Sequence, residues 1–147
     1  MRITRSVRLG IGAIAVAVLA TACGGDEQRS VSQSAESGSL VVGIKFDQPG
    51  LGLRNPDGTF SGFDVEVAKY VGQQLGVAPE NIEFKEAPSP QRETLIENGE
   101  VDCIVATSSI SDARKVKVDS AGPYFVAGQS LLVAANNTDI TGPESLS

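Results

Sequence analysis

The hydrophobic positions of this 147-residue chain fall into short apolar runs separated by polar segments. Four of the runs predict strands, and the first of them is β-branched and apolar, as is typical of a buried strand. They are SLVVGIK (39–45), NIEFKEA (81–87), DCIVA (102–106) and GQSLLVAA (128–135). Cys103, an isolated cysteine inside the third run, is interpreted as a small core residue.

Helical patterns lie between these runs. In residues 63–76 the apolar positions recur at helical spacing (Phe63, Val67, Val71 and Leu75). Asp64 can cap the start of this helix and Gly76 can end it. Shorter helices are predicted in residues 91–98, after Ser89 and Pro90, and in residues 112–118, after Ser111. Strands that alternate with helices predict an α/β unit with a mainly parallel sheet.

The segments that follow the first three strands hold the candidate functional residues. In parallel α/β sheets, ligands bind beyond the carboxyl ends of the strands. Lys45, Arg92 and Arg114 lie in these segments. Lys45 can instead extend its head group into water, and Arg92, which the helix dipole opposes, can instead pair with Glu86. Three cations at one edge of an acidic chain favour an anionic small molecule.

The segment VATSSISDARK (105–115) combines hydroxyl groups with an arginine. Thr107 and Ser109 can present hydroxyls, and Arg114 can turn its planar guanidinium back over the same loop. An arginine that gives a carboxylate two parallel hydrogen bonds, with hydroxyl and N–H donors beside it, binds strongly and in one orientation. The alternative is a solvated helix start with Arg114 and Lys115 at the surface.

The composition narrows the function classes. The chain has 12 Lys and Arg against 18 Asp and Glu and no histidine. This acidity argues against non-specific nucleic-acid binding, and the missing histidine removes the usual general base and a common metal ligand. Neither a G-x-S-x-G nucleophile motif nor a G-x-x-x-x-G-K phosphate loop occurs. We therefore expect no catalytic activity, no cofactor and no metal site.

The N-terminal residues form a pattern of their own. Three arginines precede an uncharged apolar run at 9–22, which predicts a signal peptide over residues 1–22. Small residues lead directly to Cys23, which resembles the lipobox of bacterial lipoproteins and implies lipidation, as by palmitate, at Cys23. The alternative is an ordinary signal peptide with an incidental cysteine. Residues 23–39 are rich in Ser, Gly and Gln and predict a flexible tether. Without the three arginines, nine basic and 18 acidic residues leave a net charge of −9.

The chain from about Leu40 to Leu146 resembles the amino-terminal lobe of extracellular solute-binding proteins of ABC importers, polar amino-acid family (family 3). The motifs are GFDVEVAKYV (62–71), NGEVDCIVATSSISDARK (98–115) and DSAGPYFVAGQSLLV (119–133). Residues 42–64 resemble the glutamate-binding group. The resemblance implies a periplasmic-binding-protein-like lobe, a mostly parallel sheet flanked by helices, in residues 40–135. Residues 136–147 would form the hinge crossing and the start of a truncated second lobe, the rest of which is missing.

The resemblance also implies roles for individual residues. The arginine that matches Arg114 clamps the ligand α-carboxylate in the family. The position of Ser109 hydrogen-bonds that carboxylate or the α-amino group, and the backbone around Ala106 and Thr107 contributes. Binders of acidic amino acids place a basic residue where Lys45 stands, to meet the side-chain carboxylate.

Arg92 matches a second basic position of those binders. Relatives that prefer an amide tend to have an acidic residue and aromatic residues near these places. Here the first residue is Lys45, and Gln48 and Pro88 occupy aromatic positions. The resemblance therefore favours glutamate over glutamine.

The predicted function is that of a substrate-binding lipoprotein of an ABC amino-acid importer. It would capture glutamate or aspartate on the extracytoplasmic side, held to the cell membrane by its lipid anchor, and deliver it to the permease. The alternatives are a sensing or accessory binding protein, a binder of glutamine or another polar amino acid, and a dehydratase on the same fold.

Overall fold

The computed structural model describes residues 30–146. The predicted signal peptide (1–22), the lipidation site Cys23 and most of the predicted tether, residues 23–29, lie outside the described residues. The strands are β1 (Leu40–Ile44), β2 (Asp47–Gln48), β3 (Gly52–Arg54), β4 (Phe60–Ser61), β5 (Ile82–Glu86) and β6 (Cys103–Ile104). The helices are α1 (Val31–Glu36), α2 (Phe63–Gln74), α3 (Arg92–Glu97) and α4 (Asp112–Lys115), with short 3-10 turns at Pro79–Asn81, Ser89–Gln91 and Pro143–Leu146.

A parallel sheet organises the fold. Its strand order is β5-β1-β6, and β1 pairs in parallel with both neighbours. Leu40, Val42 and Ile44, which share one face of the central strand, are at most 1% exposed, and Gly43 on the other face is also buried, as expected for the central strand of a parallel sheet. Cys103 packs against this core, and burial raises the pKa of its thiol to about 11. The first three predicted strands and the α/β class are therefore confirmed.

Helix α2 covers one face of this sheet. The residues that it buries differ from the apolar positions 63, 67, 71 and 75 that predicted the helix. Its buried positions are Asp64, Val65, Ala68 and Gly72, whereas Phe63 and Leu75 are exposed. A Cβ atom at Gly72 would lie only 2.6 Å from Ile82 Cδ1, so glycine lets the helix approach strand β5 closely. The predicted C-terminal end is confirmed, since Gly76 follows the helix with a positive φ of 82°.

The predicted cap at Asp64 is wrong. Gly62 occupies the N-cap position, and no side chain caps the helix. Asp64 is instead inside the first turn with its carboxylate turned into the protein, 1% exposed. Gly62 is required there because its φ is 116° and because a Cβ atom would collide with the backbone of Leu51.

The predicted tether is too long at its C-terminal end. Ser30 and Gln33 form a capping box that starts helix α1, and Ser34 and Ala35 are buried. The Ser34 hydroxyl donates a hydrogen bond to the Asp102 carboxylate, whose other oxygen accepts from the Val41 N–H at 2.7 Å. A polar composition predicted no core contact, but this carboxylate fixes the helix to strand β1.

Two further differences concern strands. The short antiparallel sheet β2-β3-β4 was not predicted, and a turn in which Gly58 N–H donates to Asn55 O at 2.9 Å joins β3 to β4. The predicted strand at 128–135 is wrong, because none of the residues 30–146 pairs with this segment and Leu132 is fully exposed. Within the same described range, no helix is both long and apolar enough to cross a membrane.

Candidate functional site

The carboxyl ends of β1, β5 and β6 meet at one edge of the parallel sheet, because the three strands run in the same direction. Lys45 directly follows β1, and Ala87 directly follows β5. The third segment is the 106–109 loop, formed by Ala106, Thr107, Ser108 and Ser109, which leads from β6 towards helix α4. The structure therefore brings the segments that hold the predicted site residues to one edge.

Arg92 lies beneath this edge and is 3% exposed. Its Nε donates to Ala87 O at 3.2 Å and its Nη1 to Thr107 O at 2.9 Å, while its Nη2 has no partner within residues 30–146. Burial, followed by the nearby positive charge of Arg114, lowers the pKa of Arg92. The alternative in which Arg92 pairs with Glu86 is wrong, since no hydrogen bond or ion pair joins the two within residues 30–146. The guanidinium instead ties the end of β5 to the 106–109 loop, and its ligand contact stays a prediction.

Arg114 reaches back over the loop, as predicted. Its Nε donates to Glu93 Oε1 at 2.9 Å and its Nη1 to Ser109 O at 2.9 Å. The pKa of Glu93 is lowered by its own backbone N–H and by Arg114. With 31% of its side chain exposed, Arg114 is held in a fixed orientation and still meets solvent. It is not a freely solvated arginine.

The 106–109 loop carries exposed donors. The hydroxyl of Thr107 donates to Gln48 Oε1 at 2.9 Å, which joins the loop to β2. In the described part of the chain, the N–H groups of Thr107 and Ser109 have no acceptor. Together with Arg114, these groups can donate several hydrogen bonds to one carboxylate.

Lys45 stands at the end of β1 with 16% of its side chain exposed and its Nζ 3.1 Å from Asp47 Oδ1. Its stem is therefore covered, and its charge is paired with a carboxylate that is itself 68% exposed. Of the other two cations, Arg114 is near enough to Arg92 for its positive charge, after burial, to lower the pKa of Arg92.

Tyr124 and Asp64 complete the site, and neither was predicted as part of it. The Tyr124 hydroxyl lies 2.9 Å from Asp64 Oδ1 and 3.0 Å from Ala106 O. Burial raises the pKa of Asp64, and burial and Asp64 raise that of Tyr124. The sequence held no local signal for this contact, because Tyr124 lies 60 residues from Asp64 along the chain.

The chemistry available at this edge is anion recognition. The donors are a fixed guanidinium, hydroxyls and backbone N–H groups, and an ammonium group lies at the end of the neighbouring strand. No group of three or more residues able to hold a metal ion occurs in the described part of the chain.

Comparison with known proteins agrees with this chemistry. Residues 40–143 match the family described as bacterial extracellular solute-binding proteins, family 3. The chain is 49% identical over 142 residues to the glutamate-binding protein GluB of Corynebacterium glutamicum, covering 92% of this chain and 48% of that one. It is 43% identical over 97 residues to a glutamine-binding protein of Geobacillus stearothermophilus, covering 65% and 36%. The chain thus spans about half the length of the GluB relatives, and less of the glutamine-binding protein.

The fold agrees as well. An ancestral arginine-binding protein bound to arginine superposes with a TM-score of 0.66 at 34% identity, covering 74% of this chain and 47% of that structure. This similarity extends the match from sequence to the arrangement of the sheet and its helices.

Proposed function

Because the chain belongs to the bacterial extracellular solute-binding proteins of family 3, we propose that it captures an acidic amino acid outside the membrane and delivers it to an ABC permease. Glutamate is the preferred ligand in this proposal and aspartate the second. The proposal includes no catalytic step.

The observation that carries the proposal is the orientation of Arg114 over the 106–109 loop. Its bonds to Glu93 and Ser109 fix the guanidinium over this loop, where the N–H groups of Thr107 and Ser109 have no acceptor among residues 30–146. A ligand α-carboxylate placed there accepts from both the guanidinium and the loop. Charge-assisted hydrogen bonds of this kind contribute about 1.5–3 kcal/mol each.

Lys45 gives the proposal its specificity. Its ammonium group would meet the side-chain carboxylate of glutamate and exchange its present partner, the exposed Asp47, for the ligand. A neutral amide offers this ammonium no charge that could replace Asp47, so we expect glutamine to bind at least about tenfold more weakly. The glutamate-binding relative supports a higher affinity for glutamate than for glutamine. The glutamine-binding relative favours the alternative in which glutamine is the ligand.

Cys23 would anchor the protein to the outer surface of the cell membrane through a lipid. The apolar run at 9–22 followed by a cysteine is the pattern that supports this part of the proposal. In a bacterial expression host, we expect the wild-type chain in the membrane fraction and a Cys23→Ala variant in the soluble fraction. Equal distribution of the two would contradict lipid anchoring.

Calorimetric titration tests the ligand. The full chain is titrated with L-glutamate, L-aspartate and L-glutamine, alongside a chimera in which residues 40–143 replace the matching half of the Corynebacterium protein. We expect saturable glutamate binding that Arg114→Ala abolishes and that Lys45→Gln shifts towards glutamine. Lys69→Ala is the matched control, because Lys69 is also paired with a carboxylate, that of Glu66 at 2.8 Å, but on α2.

Two results would count against the proposal. A folded chimera that binds neither acidic amino acid would exclude the ligand class. Equal loss of binding in Arg114→Ala and Lys69→Ala would show that the guanidinium has no special role.

A further inference from the structure

Two carbonyl groups of the 106–109 loop contact side chains from other parts of the chain, those of the buried Arg92 (3% exposed) and of Tyr124 (41% exposed). Ala106 O lies 3.0 Å from the Tyr124 hydroxyl, and Thr107 O accepts from Arg92 at 2.9 Å. The donors come from different elements, since Arg92 begins α3 and Tyr124 belongs to a segment without helix or strand. The inner side of the loop is therefore fixed at two consecutive peptide groups.

The direction of a carbonyl fixes the direction of the next N–H group. In a trans peptide, C=O and N–H point to opposite sides. When Ala106 O points inwards to Tyr124, the N–H of Thr107 points outwards, and it has no acceptor among residues 30–146. Ser108 N–H returns to Ala106 O at 2.6 Å, so this oxygen uses both of its lone pairs.

We infer that Tyr124 is a positioning residue for the 106–109 loop and that Asp64 holds the Tyr124 hydroxyl in place for it. Tyr124 acts through the Ala106 carbonyl and aims the Thr107 N–H at the ligand. The consequence for ligand binding rests on the proposed function, whereas the orientation of the loop does not.

The number of protons available at this contact explains why Asp64 matters for the hydrogen bond between Tyr124 and Ala106 O. A phenol has one proton, and the Tyr124 hydroxyl lies within hydrogen-bond distance of two acceptors, Asp64 Oδ1 and Ala106 O. When Asp64 is protonated, its carboxyl O–H donates to the phenol oxygen and the phenol O–H donates to Ala106 O. When Asp64 is ionised, it attracts the phenol proton, and Ala106 O keeps only the N–H of Ser108.

The surroundings of Asp64 favour the protonated arrangement. Asp64 is 1% exposed, its Oδ2 has no hydrogen-bond partner within residues 30–146, and burial raises its pKa. The groups that oppose this rise are Tyr124, through its hydrogen bond, and Arg92 on α3, through its charge. Ionisation of Asp64 should therefore change the loop at a pH above the ordinary value of 3.8.

The test uses amide NMR of the full chain in three variants. Tyr124→Phe removes the hydroxyl and keeps the ring that packs 6.0 Å from Phe63. Tyr70→Phe makes the same change at the other tyrosine of the chain, which is 63% exposed. Asp64→Asn removes the titration. We expect Tyr124→Phe to shift the amide signals of Thr107 and Ser108 and Tyr70→Phe to leave them in place. We also expect the wild-type loop signals to titrate above pH 3.8 and the Asp64→Asn signals not to.

Addition of L-glutamate to the same samples separates this inference from the proposed function. If the wild type binds glutamate, Tyr124→Phe should bind it about three- to tenfold more weakly, the loss that one hydrogen bond represents. Unchanged loop signals in Tyr124→Phe, or unchanged glutamate affinity, would overturn the positioning role. If the wild type does not bind glutamate, the proposed ligand is wrong, and the loop signals alone decide the role of Tyr124.

Discussion

Removal of the Arg92 side chain should destabilise the fold through the two carbonyl oxygens that it leaves behind. In Arg92→Met, Ala87 O and Thr107 O lose the donors that now lie at 3.2 and 2.9 Å. A buried carbonyl without a donor costs about 1–3 kcal/mol. Relief of the guanidinium desolvation offsets part of this, because a buried charge is itself costly. We therefore expect the free energy of unfolding to fall by about 2–4 kcal/mol.

Urea unfolding of the full chain, followed by far-UV circular dichroism, measures this change. With a denaturant slope of about 1–2 kcal/mol per molar, the midpoint should fall by at least about 1 M. Arg92→Lys keeps the charge but has one nitrogen for two carbonyls, so its loss should be intermediate. Arg54→Met is the control, because Arg54 is exposed, with its guanidinium 5.8 Å from the centre of the Phe46 ring.

The reasoning fails if Arg92→Met unfolds within about 0.5 kcal/mol of the wild type, the usual range of a surface substitution. It also fails if Arg92→Lys and Arg92→Met lose the same free energy, since the remaining hydrogen bond would then contribute nothing. If Arg92→Met does not fold, the comparison between Arg92→Lys and the Arg54 control still decides the question.

Three further predictions concern other parts of the fold. Asp102→Asn should lower the free energy of unfolding by about 1–2 kcal/mol and speed proteolysis within helix α1. Equal rates of proteolysis in the wild type and in Asp102→Asn would contradict this prediction. The stability advantage of the wild type over Glu93→Gln should be present above pH 4.5 and be lost as the pH falls through the lowered pKa of Glu93, which accepts from Arg114. A pH-independent difference between these two proteins would refute it. In a Cys23→Ser variant at about pH 8, Cys103 should react with a thiol reagent only after urea unfolding, since about one thiol in a thousand is ionised when the pKa is about 11. Rapid reaction of the native protein would show that the thiol is not buried.

The pattern of the chain predicted the parallel sheet because β1 and β6 are short apolar runs, whereas in β5 the apolar residues Ile82 and Phe84 alternate with charged ones. The parallel pairing follows from the helices between the strands. The common edge of Lys45, Ala87 and the 106–109 loop followed in turn from the direction of the strands. Local pattern and topology together were enough to bring these three segments to one edge, but not to find Asp64 and Tyr124 beside them.

The pattern could not predict features that depend on a distant partner. In the sequence, Asp64 stands where an aspartate could cap the helix. In the structure, its carboxyl group instead contacts Tyr124, which is 60 residues away. Helix α1 contains too few apolar residues to predict packing, and Asp102, 68 residues from Ser34, fixes it. The apolar run at 128–135 predicted a strand, yet a strand also needs a partner, and none of the strands in residues 30–146 pairs with this run.

The central claim is that the 106–109 loop and Arg114 bind the α-carboxylate of an amino acid. The most direct test follows the amide signals of this loop and the Arg114 Nε–H signal while the full chain is titrated with L-glutamate and, separately, with γ-aminobutyrate, which lacks the α-carboxylate. The account predicts saturable shifts at these positions with L-glutamate and none with γ-aminobutyrate. Equal responses to the two compounds, or glutamate shifts confined to other parts of the chain, would contradict it.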